Sequence, residues 1–501
     1  MFVSYNTLKN KILLLFFILF SIHNIFPDAT NDIDSTTDKT NNVPGLFIDK
    51  EIPEEELKKL PVTFNMGGSL STSARILFKT FQANPDGGFE PIPNDRWYGD
   101  LSGKVWTRMF ITEDRYIHLG FEALLKTERY NDLYKRNSIN ALFNIDEFYF
   151  NWAYPIGKVL IGRTNYSMKS PLIFNGPLDG LELQINVPYL NFKSFLGFTG
   201  LLGFFNPWFN PYKITSIDRS YKEESNLLYS NTVIKLNAEQ ARRFFFATDF
   251  DIHLFGQHIN PYFLLQYDLT SLYYNLNTDY DVNTFHLGIN FEGRIITNLY
   301  YKLHLSGLFG THPSSTSGEF KPIVACAVET NLRYTIPAAV SPTFIFGYAM
   351  GTGNGEPIGN WSDHPSDSSK GFWSDKYDGP SNNKYYYYGK FDGGYVLNPV
   401  LSNIHSLSFK YLITPLKRET IKLSFYNAVY QTIKLWSPGP ISDDECDLND
   451  YMVGTELDAG MLINFGLHLN LGMDFGILIP ETAYSDKSPR FKMGANFCVT
   501  F

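Results

Sequence analysis

Apolar and polar residues alternate with a period of two from Thr63 to Phe501, and no other property limits the fold of this chain as much. The clearest instance is the C-terminal segment, where Phe491, Met493, Ala495, Phe497, Val499 and Phe501 alternate with Lys492, Gly494, Asn496, Cys498 and Thr500. Successive side chains of a strand point to opposite faces, so one face of this segment is wholly apolar. At about 11 residues it is long enough to cross a bilayer at a steep tilt. In a soluble sandwich such an edge strand would invite aggregation. Upstream, Phe285, Leu287, Ile289 and Phe291 oppose His286, Asn290, Glu292 and Arg294. Likewise Phe244, Phe246, Phe250, Ile252 and Leu254 oppose Arg243, Asp249, Asp251 and His253, and Leu457, Ala459, Met461, Ile463 and Phe465 oppose Glu456, Asp458 and Asn464. Ionisable groups on one face require water or partners, which an aqueous lumen supplies and hydrocarbon does not.

Composition agrees. Aromatic residues make up 16% of the 501 positions and charged residues only 19%, against about 25% charged in soluble domains. Mean hydropathy is nevertheless −0.17, and nothing after residue 22 offers an uninterrupted apolar run of spanning length. Low charge without a spanning helix fits a transmembrane antiparallel β-barrel, whose alternate residues face lipid and water. The formal net charge of −9 gives no support to nucleic-acid binding. Cys326, Cys446 and Cys498 are too scattered for a metal-ligand spacing or a disulfide framework. They read as small buried residues plus one in an acidic loop.

At the N-terminus, Lys9 and Lys11 precede the apolar run Ile12 to Ile22. This is the pattern of a signal peptide, covering residues 1–27 with cleavage near Asp28 and Ala29. No cysteine follows that would make a lipoprotein. Residues 28–61 form a periplasmic linker with a short helical stretch over 46–60, and residues 62–501 form the barrel. The expected location is the bacterial outer membrane.

Connector lengths give the topology. Short connectors fall near 112–115, 154–157, 187–190, 255–261, 294–298, 335–342, 414–419 and 467–470. Longer ones fall at 81–97, 127–143, 165–179, 203–239, 270–282, 310–321, 351–401, 432–454 and 480–489. Short periplasmic turns alternating with long extracellular loops join about 18 strands, with 16 as the alternative count.

A barrel of that size leaves an aqueous channel unless loops fold in, and the inward charges set its selectivity. Candidates for the pore lining are Arg108, Glu147, Arg163, Glu182, Arg243, Asp249, Asp251, Arg294, Glu329, Arg333, Lys410, Lys422 and Asp458. They read in two ways: arginine–carboxylate pairs bracing opposite walls, or forks and acids that pass a charged solute by many weak contacts. In the longest loop, Trp361, Trp373, Tyr377 and Tyr385 lie among Gly, Ser and Asp. These aromatics suit stacking on sugar rings, or else form the small core of a lid. The stretch 203–239 is a second candidate to fold inward.

Two segments carry a family resemblance. DEFYFNWAYPIGKVLIGRTNYS (146–167), followed by DGLELQINV (179–187), is a strand, a tight turn and a strand ending in Gly162-Arg163; GYAMGTGNG (347–355) is a strand running into a glycine-rich loop. Both resemble the alginate-export family of outer-membrane porins. The resemblance implies an 18-stranded barrel with an arginine-built constriction and transport of an oligo- or polysaccharide. It makes Arg163 the arginine of that family's "GR" strand, with Asp146 and Glu147 as the acidic start of the strand before.

No G-x-S-x-G or H-E-x-x-H motif is present, so neither an enzyme nor a cofactor is expected. The residues thus point to a channel for small hydrophilic or charged solutes. The alternative is a structural or adhesin barrel whose long loops bind external ligands. Expected partners are outer-membrane lipids, a small solute or oligosaccharide, and the barrel insertion machinery, whose recognition signal the last strand ending in Phe501 resembles.

Overall fold

The structure, a computed structural model, describes residues 63–79, 82–83, 89–90, 96–130, 137–199, 243–269, 283–313, 320–353, 391–397, 399, 401–418, 420–435, 450–466, 468–484 and 487–501. The expected signal peptide, linker and short helix lie outside these residues, as do Trp361, Trp373, Tyr377, Tyr385 and Cys446.

Eighteen strands close into one antiparallel barrel. They are β1 (Thr63–Lys79), β2 (Arg96–Thr112), β3 (Arg115–Tyr130), β4 (Asn137–Tyr154), β5 (Gly157–Ser167) and β6 (Asn175–Val187). Next come β7 (Leu190–Phe198), β8 (Arg243–Leu254), β9 (Gln257–Asp268), β10 (Asn283–Ile296), β11 (Leu299–Pro313) and β12 (Phe320–Thr335). The last six are β13 (Thr343–Gly351), β14 (Ile404–Lys417), β15 (Ile421–Lys434), β16 (Met452–Phe465), β17 (Leu469–Pro480) and β18 (Arg490–Thr500). Each pairs with its neighbour in sequence, and β1 pairs with both β2 and β18 to close the ring. At the seam the Phe501 amide donates to the Gly68 carbonyl at 2.9 Å, and the Gly68 amide returns a bond of 2.8 Å.

Eight short connectors, at 113–114, 155–156, 188–189, 255–256, 297–298, 336–342, 418–420 and 466–468, gather at one end of the barrel, where the sequence places them. Phe255 and Gly256 both have positive φ, 51° and 73°, which is the type I′ geometry that matches the twist of a two-residue hairpin. This turn sets the register of β8 on β9.

Alternation sorts the side chains as the sequence predicts. Val105, Phe121, Leu287, Val324, Phe346 and Met493 are each more than a third exposed on the outside, forming an apolar belt. His286, Asn290 and Glu456, on the other parity, are buried inside. A closed, even-stranded barrel with this belt is an outer-membrane barrel, and this protein is one. One detail differs from expectation. Cys326 is exposed rather than buried, because its parity is that of Val324 on β12. On the inner face Tyr300 stacks with Arg333 at 4.7 Å, since it lies directly opposite Arg294 on β10 and Arg333 on β12.

Candidate functional site: a hairpin folded into the lumen

The connection 165–179 reads in the sequence as a long outer loop. In the structure the upper part of the β5–β6 hairpin turns into the barrel instead. On one side the ladder with β4 ends at Phe148 opposite Arg163; on the other, the ladder with β7 ends at Asp179 opposite Phe198. Beyond these rows Thr164–Ser167 and Asn175–Leu178 pair only with each other among the described residues. The contacts of the tip show where it goes. The Lys193 ammonium donates to the Ser167 carbonyl at 2.7 Å, and Phe174 packs against Phe195 and Phe245 with ring centroids 5.1 and 5.0 Å apart. Lys193, Phe195 and Phe245 all belong to the lumen-facing parity, whereas Leu196 and Phe250 face out. Met168, Leu172, Ile173 and Leu178 complete an apolar cluster inside the barrel.

A row of glycines makes the bend. Gly162 pairs with Gly180, and Gly180 pairs with Gly197. Gly162 has φ +130°, and a Cβ there would lie 2.2 Å from the Phe148 carbonyl oxygen. At Gly180 a Cβ would lie 2.0 Å from the Leu196 carbonyl oxygen. Both approaches are far inside van der Waals contact, so the chain can fold back at this row only without side chains.

Charge then fastens the tip. The Lys169 amide donates to Asp249 Oδ2 at 3.3 Å. Its ammonium lies 3.3 Å from Asp251 Oδ2 on β8 and 3.0 Å from Glu292 Oε1 on β10. Burial alone would lower the Lys169 pKa, but Glu292 and Asp251 outweigh it and hold it above the ordinary lysine value. At the base of the hairpin Arg163 donates to Asp179 at 3.1 Å, with 3% and 4% of the two side chains exposed. Arg163 is therefore sealed against Asp179 and does not present its charge to an open pore. Its pair closes the last row before the hairpin leaves the wall. Arg243 behaves similarly, gripping Asp268 with Nε at 3.2 Å and Nη2 at 3.1 Å in full burial. Glu182 is buried beside Lys193 at 3.4 Å.

A second inward segment covers a different stretch of wall. Residues 391–397 descend from the long connection between β13 and β14. The Tyr395 amide donates to Asp458 Oδ2 at 2.9 Å, and the Leu397 amide to Glu456 Oε2 at 2.9 Å. Lys492 donates to the Tyr395 carbonyl at 2.6 Å. Asp458 faces inward as expected, yet it serves to hold this segment. Lys410 on β14 pairs with Asp392 of the same segment at 2.5 Å.

The remaining predicted residues keep partial exposure on the inner wall. On β2–β4, Arg108 donates to His118 Nδ1 at 3.2 Å. His118 Nε2 lies 2.9 Å from Glu147, and Lys104 contacts Asp146 and Glu147. Both acids reach Lys104 because a bulge after Gly120 makes Asp146 the extra residue between Ile145 and Glu147. The Arg108 guanidinium also sits 5.0 Å from the Trp106 ring centroid and 5.2 Å from that of Tyr116. Glu329 lies 3.8 Å from Lys302. Arg294 and Lys422 are exposed near the short-turn end. These ion pairs join strands one or two apart, or fasten an inserted segment to the wall. Lys104, His118, Lys169 and Glu456 escape the sequence list of pore-lining candidates. Parity with Arg108 would have flagged Lys104, but no periodic signal marks Lys169, which lies outside the strands.

No family model matches this chain, and no curated protein matches it either. Solved structures similar to it include Pseudomonas aeruginosa OccK5 (OpdH), 9% identical, with 87% of this chain and 98% of that one covered at a TM-score of 0.47. Another is P. aeruginosa OpdK with vanillate, 8% identical, covering 87% and 99% at 0.46. A third is P. aeruginosa OccK2 (OpdF) in complex with glucuronate, 10% identical, covering 87% and 98% at 0.44. At these identities neither a solute nor a site passes from those proteins to this one.

Proposed function

We propose that this barrel is a diffusion channel for small hydrophilic, charged solutes, with the β5–β6 hairpin setting its cross-section. One observation carries the reading: the hairpin lies inside the lumen and is tied across three strands by Lys169 to Asp251 and Glu292. Around the hairpin tip the wall is apolar, with Phe195, Phe245, Leu264 and Leu308 in one cluster, and it also carries many charged and polar side chains. Acids and bases are interleaved with aromatic faces at Arg108, Trp106 and Tyr116, a surface able to exchange many weak contacts with a passing solute. An inserted hairpin favours small solutes over a polymer, so polysaccharide export as in alginate-export-like porins would require the hairpin to move. Insertion through recognition of the last strand ending in Phe501 belongs to the same proposal.

The test is single-channel conductance of the purified protein in planar bilayers. Excising Thr164–Leu178 and joining Arg163 to Asp179 by a two-residue turn should leave a folded barrel and raise conductance severalfold. Absence of any channel in both the native protein and this variant would refute the proposal.

A further inference from the structure

Asp251, His253 and His258 bring two imidazoles and a carboxylate together on the lumen face, apart from the hairpin's own hinge. Their proximity follows from register. Asp251 and His253 are two apart on β8 and share a face. The Phe255–Gly256 turn sets His258 of β9 directly opposite His253, with the two ring centroids 4.3 Å apart. Asp251 Oδ2 lies 3.0 Å from His253 Nε2, and Asp251 Oδ1 lies 3.2 Å from His258 Nδ1. One donor atom from each of the three falls within 4.8 Å of the others. In a tetrahedral site with bonds of about 2.0–2.1 Å the ligand atoms stand roughly 3.3 Å apart, so this set needs only small side-chain adjustments to surround an ion.

We propose that Asp251, His253 and His258 bind a divalent transition-metal ion of the zinc, copper or nickel class at the short-turn end of the lumen. Two imidazoles select such ions over calcium or magnesium, which prefer oxygen. Three protein ligands leave at least one position open to water or a solute in the lumen. The two histidine side chains are 40% and 38% exposed, so the ion has access, whereas Asp251 is 11% exposed and anchored.

The ion would also act on the hairpin. Lys169 and a bound cation compete for Asp251 Oδ2, but the Lys169 ammonium already contacts Glu292 at 3.0 Å. Metal binding therefore removes one of the two ion pairs of the Lys169 ammonium and leaves the other. Glu292 lies directly opposite His258 on β10, so the acceptor that keeps Lys169 is adjacent to the site.

The experiment is zinc titration by calorimetry on the full-length mature barrel in detergent, with any affinity tag removed. Cobalt absorption bands serve as a second readout of the ligand set. The native protein should take up one saturating equivalent. His253→Ala and His258→Ala should each weaken binding by about 10- to 100-fold or more, and the double variant should show none. His405→Ala, which removes a histidine bonded to Tyr348 at 2.8 Å on the outer face of β14, should bind as the native protein does. Lys169→Met should bind zinc more tightly, because the competing cation is gone. Heat-modifiable migration in gels verifies that each variant is a folded barrel. Native protein that takes up no zinc at millimolar concentration, or a folded His253/His258 double variant that binds as the native protein does, overturns the site. Equal zinc affinity in the native protein and Lys169→Met overturns the coupling to the hairpin.

Discussion

Replacing Asp179 by alanine tests the claim that the Arg163–Asp179 pair is the hinge of the inserted hairpin. The two charges are 3.1 Å apart and almost wholly buried. At an effective dielectric of about 20, Coulomb's law gives an attraction of roughly 5 kcal/mol for that separation. Removing one partner of a buried pair costs about 3–5 kcal/mol, because the other charge stays desolvated, so the two routes agree. The loss falls on a hairpin that has left the wall ladder on both sides, while the strand pairing of the remaining barrel is untouched. The expected outcome is therefore detachment of the hairpin within a folded barrel. In planar bilayers Asp179→Ala should show larger or noisier conductance than the native channel, and trypsin should cleave near Lys169 where it did not before. Arg163→Met combined with Asp179→Leu removes both charges and should restore most of the native behaviour. The hinge reading fails if Asp179→Ala matches the native protein in conductance and protease resistance. It fails equally if the double variant is as disturbed as the single one.

Gly162→Ala should produce the same detachment by a different route, since its Cβ would meet the Phe148 carbonyl at 2.2 Å and positive φ adds about 1–3 kcal/mol of strain; conductance and proteolysis again report it. Glu456→Ala removes the carboxylate that accepts from the backbone of 391–397, and about 1.5–3 kcal/mol for each charge-assisted bond should free that segment, seen as new protease sites between Phe391 and Leu397. The Lys169 tether has an elevated folded-state pKa, so its contribution is complete below the ordinary lysine value and is lost only as pH rises through the higher folded one. Conductance should therefore rise at strongly alkaline pH in the native protein, and this step should be missing in Lys169→Met.

The barrel was largely legible in the sequence because a lipid-facing strand leaves no freedom of parity. One misplaced charge in rows such as Phe285–Phe291 or Phe491–Phe501 would face hydrocarbon, so the alternation is strict and strand and turn positions can be read from it. The same constraint ends where the chain leaves the wall. Residues 164–178 have no lipid-facing side, and their pattern reads as any extracellular loop. The bend is written in Gly162, Gly180 and Gly197, yet these are a row only once the register of three strands is known. Arg163 shows the limit most clearly. It follows a glycine in an otherwise regular strand, and local sequence makes it a pore arginine. Its actual partner, Asp179, lies across a fold-back that only the tertiary structure defines.

That distinction changes which charges can select a solute. Arg163, Arg243, Asp249, Asp251, Lys410 and Asp458 hold inserted segments or sealed pairs, so altering them acts through the position of the hairpin or of 391–397. Arg108, Glu147, Arg294, Glu329, Arg333 and Lys422 retain partial or full exposure on the inner wall, where a passing ion would meet their fields directly. The two groups should separate in one measurement. Arg294→Ala removes an exposed positive charge at the mouth and should move the reversal potential towards cation preference with little change in unitary conductance. Arg163→Ala should change conductance through hairpin release and carry any selectivity shift only as a consequence. If both substitutions shift the reversal potential alike at unchanged conductance, Arg163 faces the solute after all and the hinge assignment is wrong.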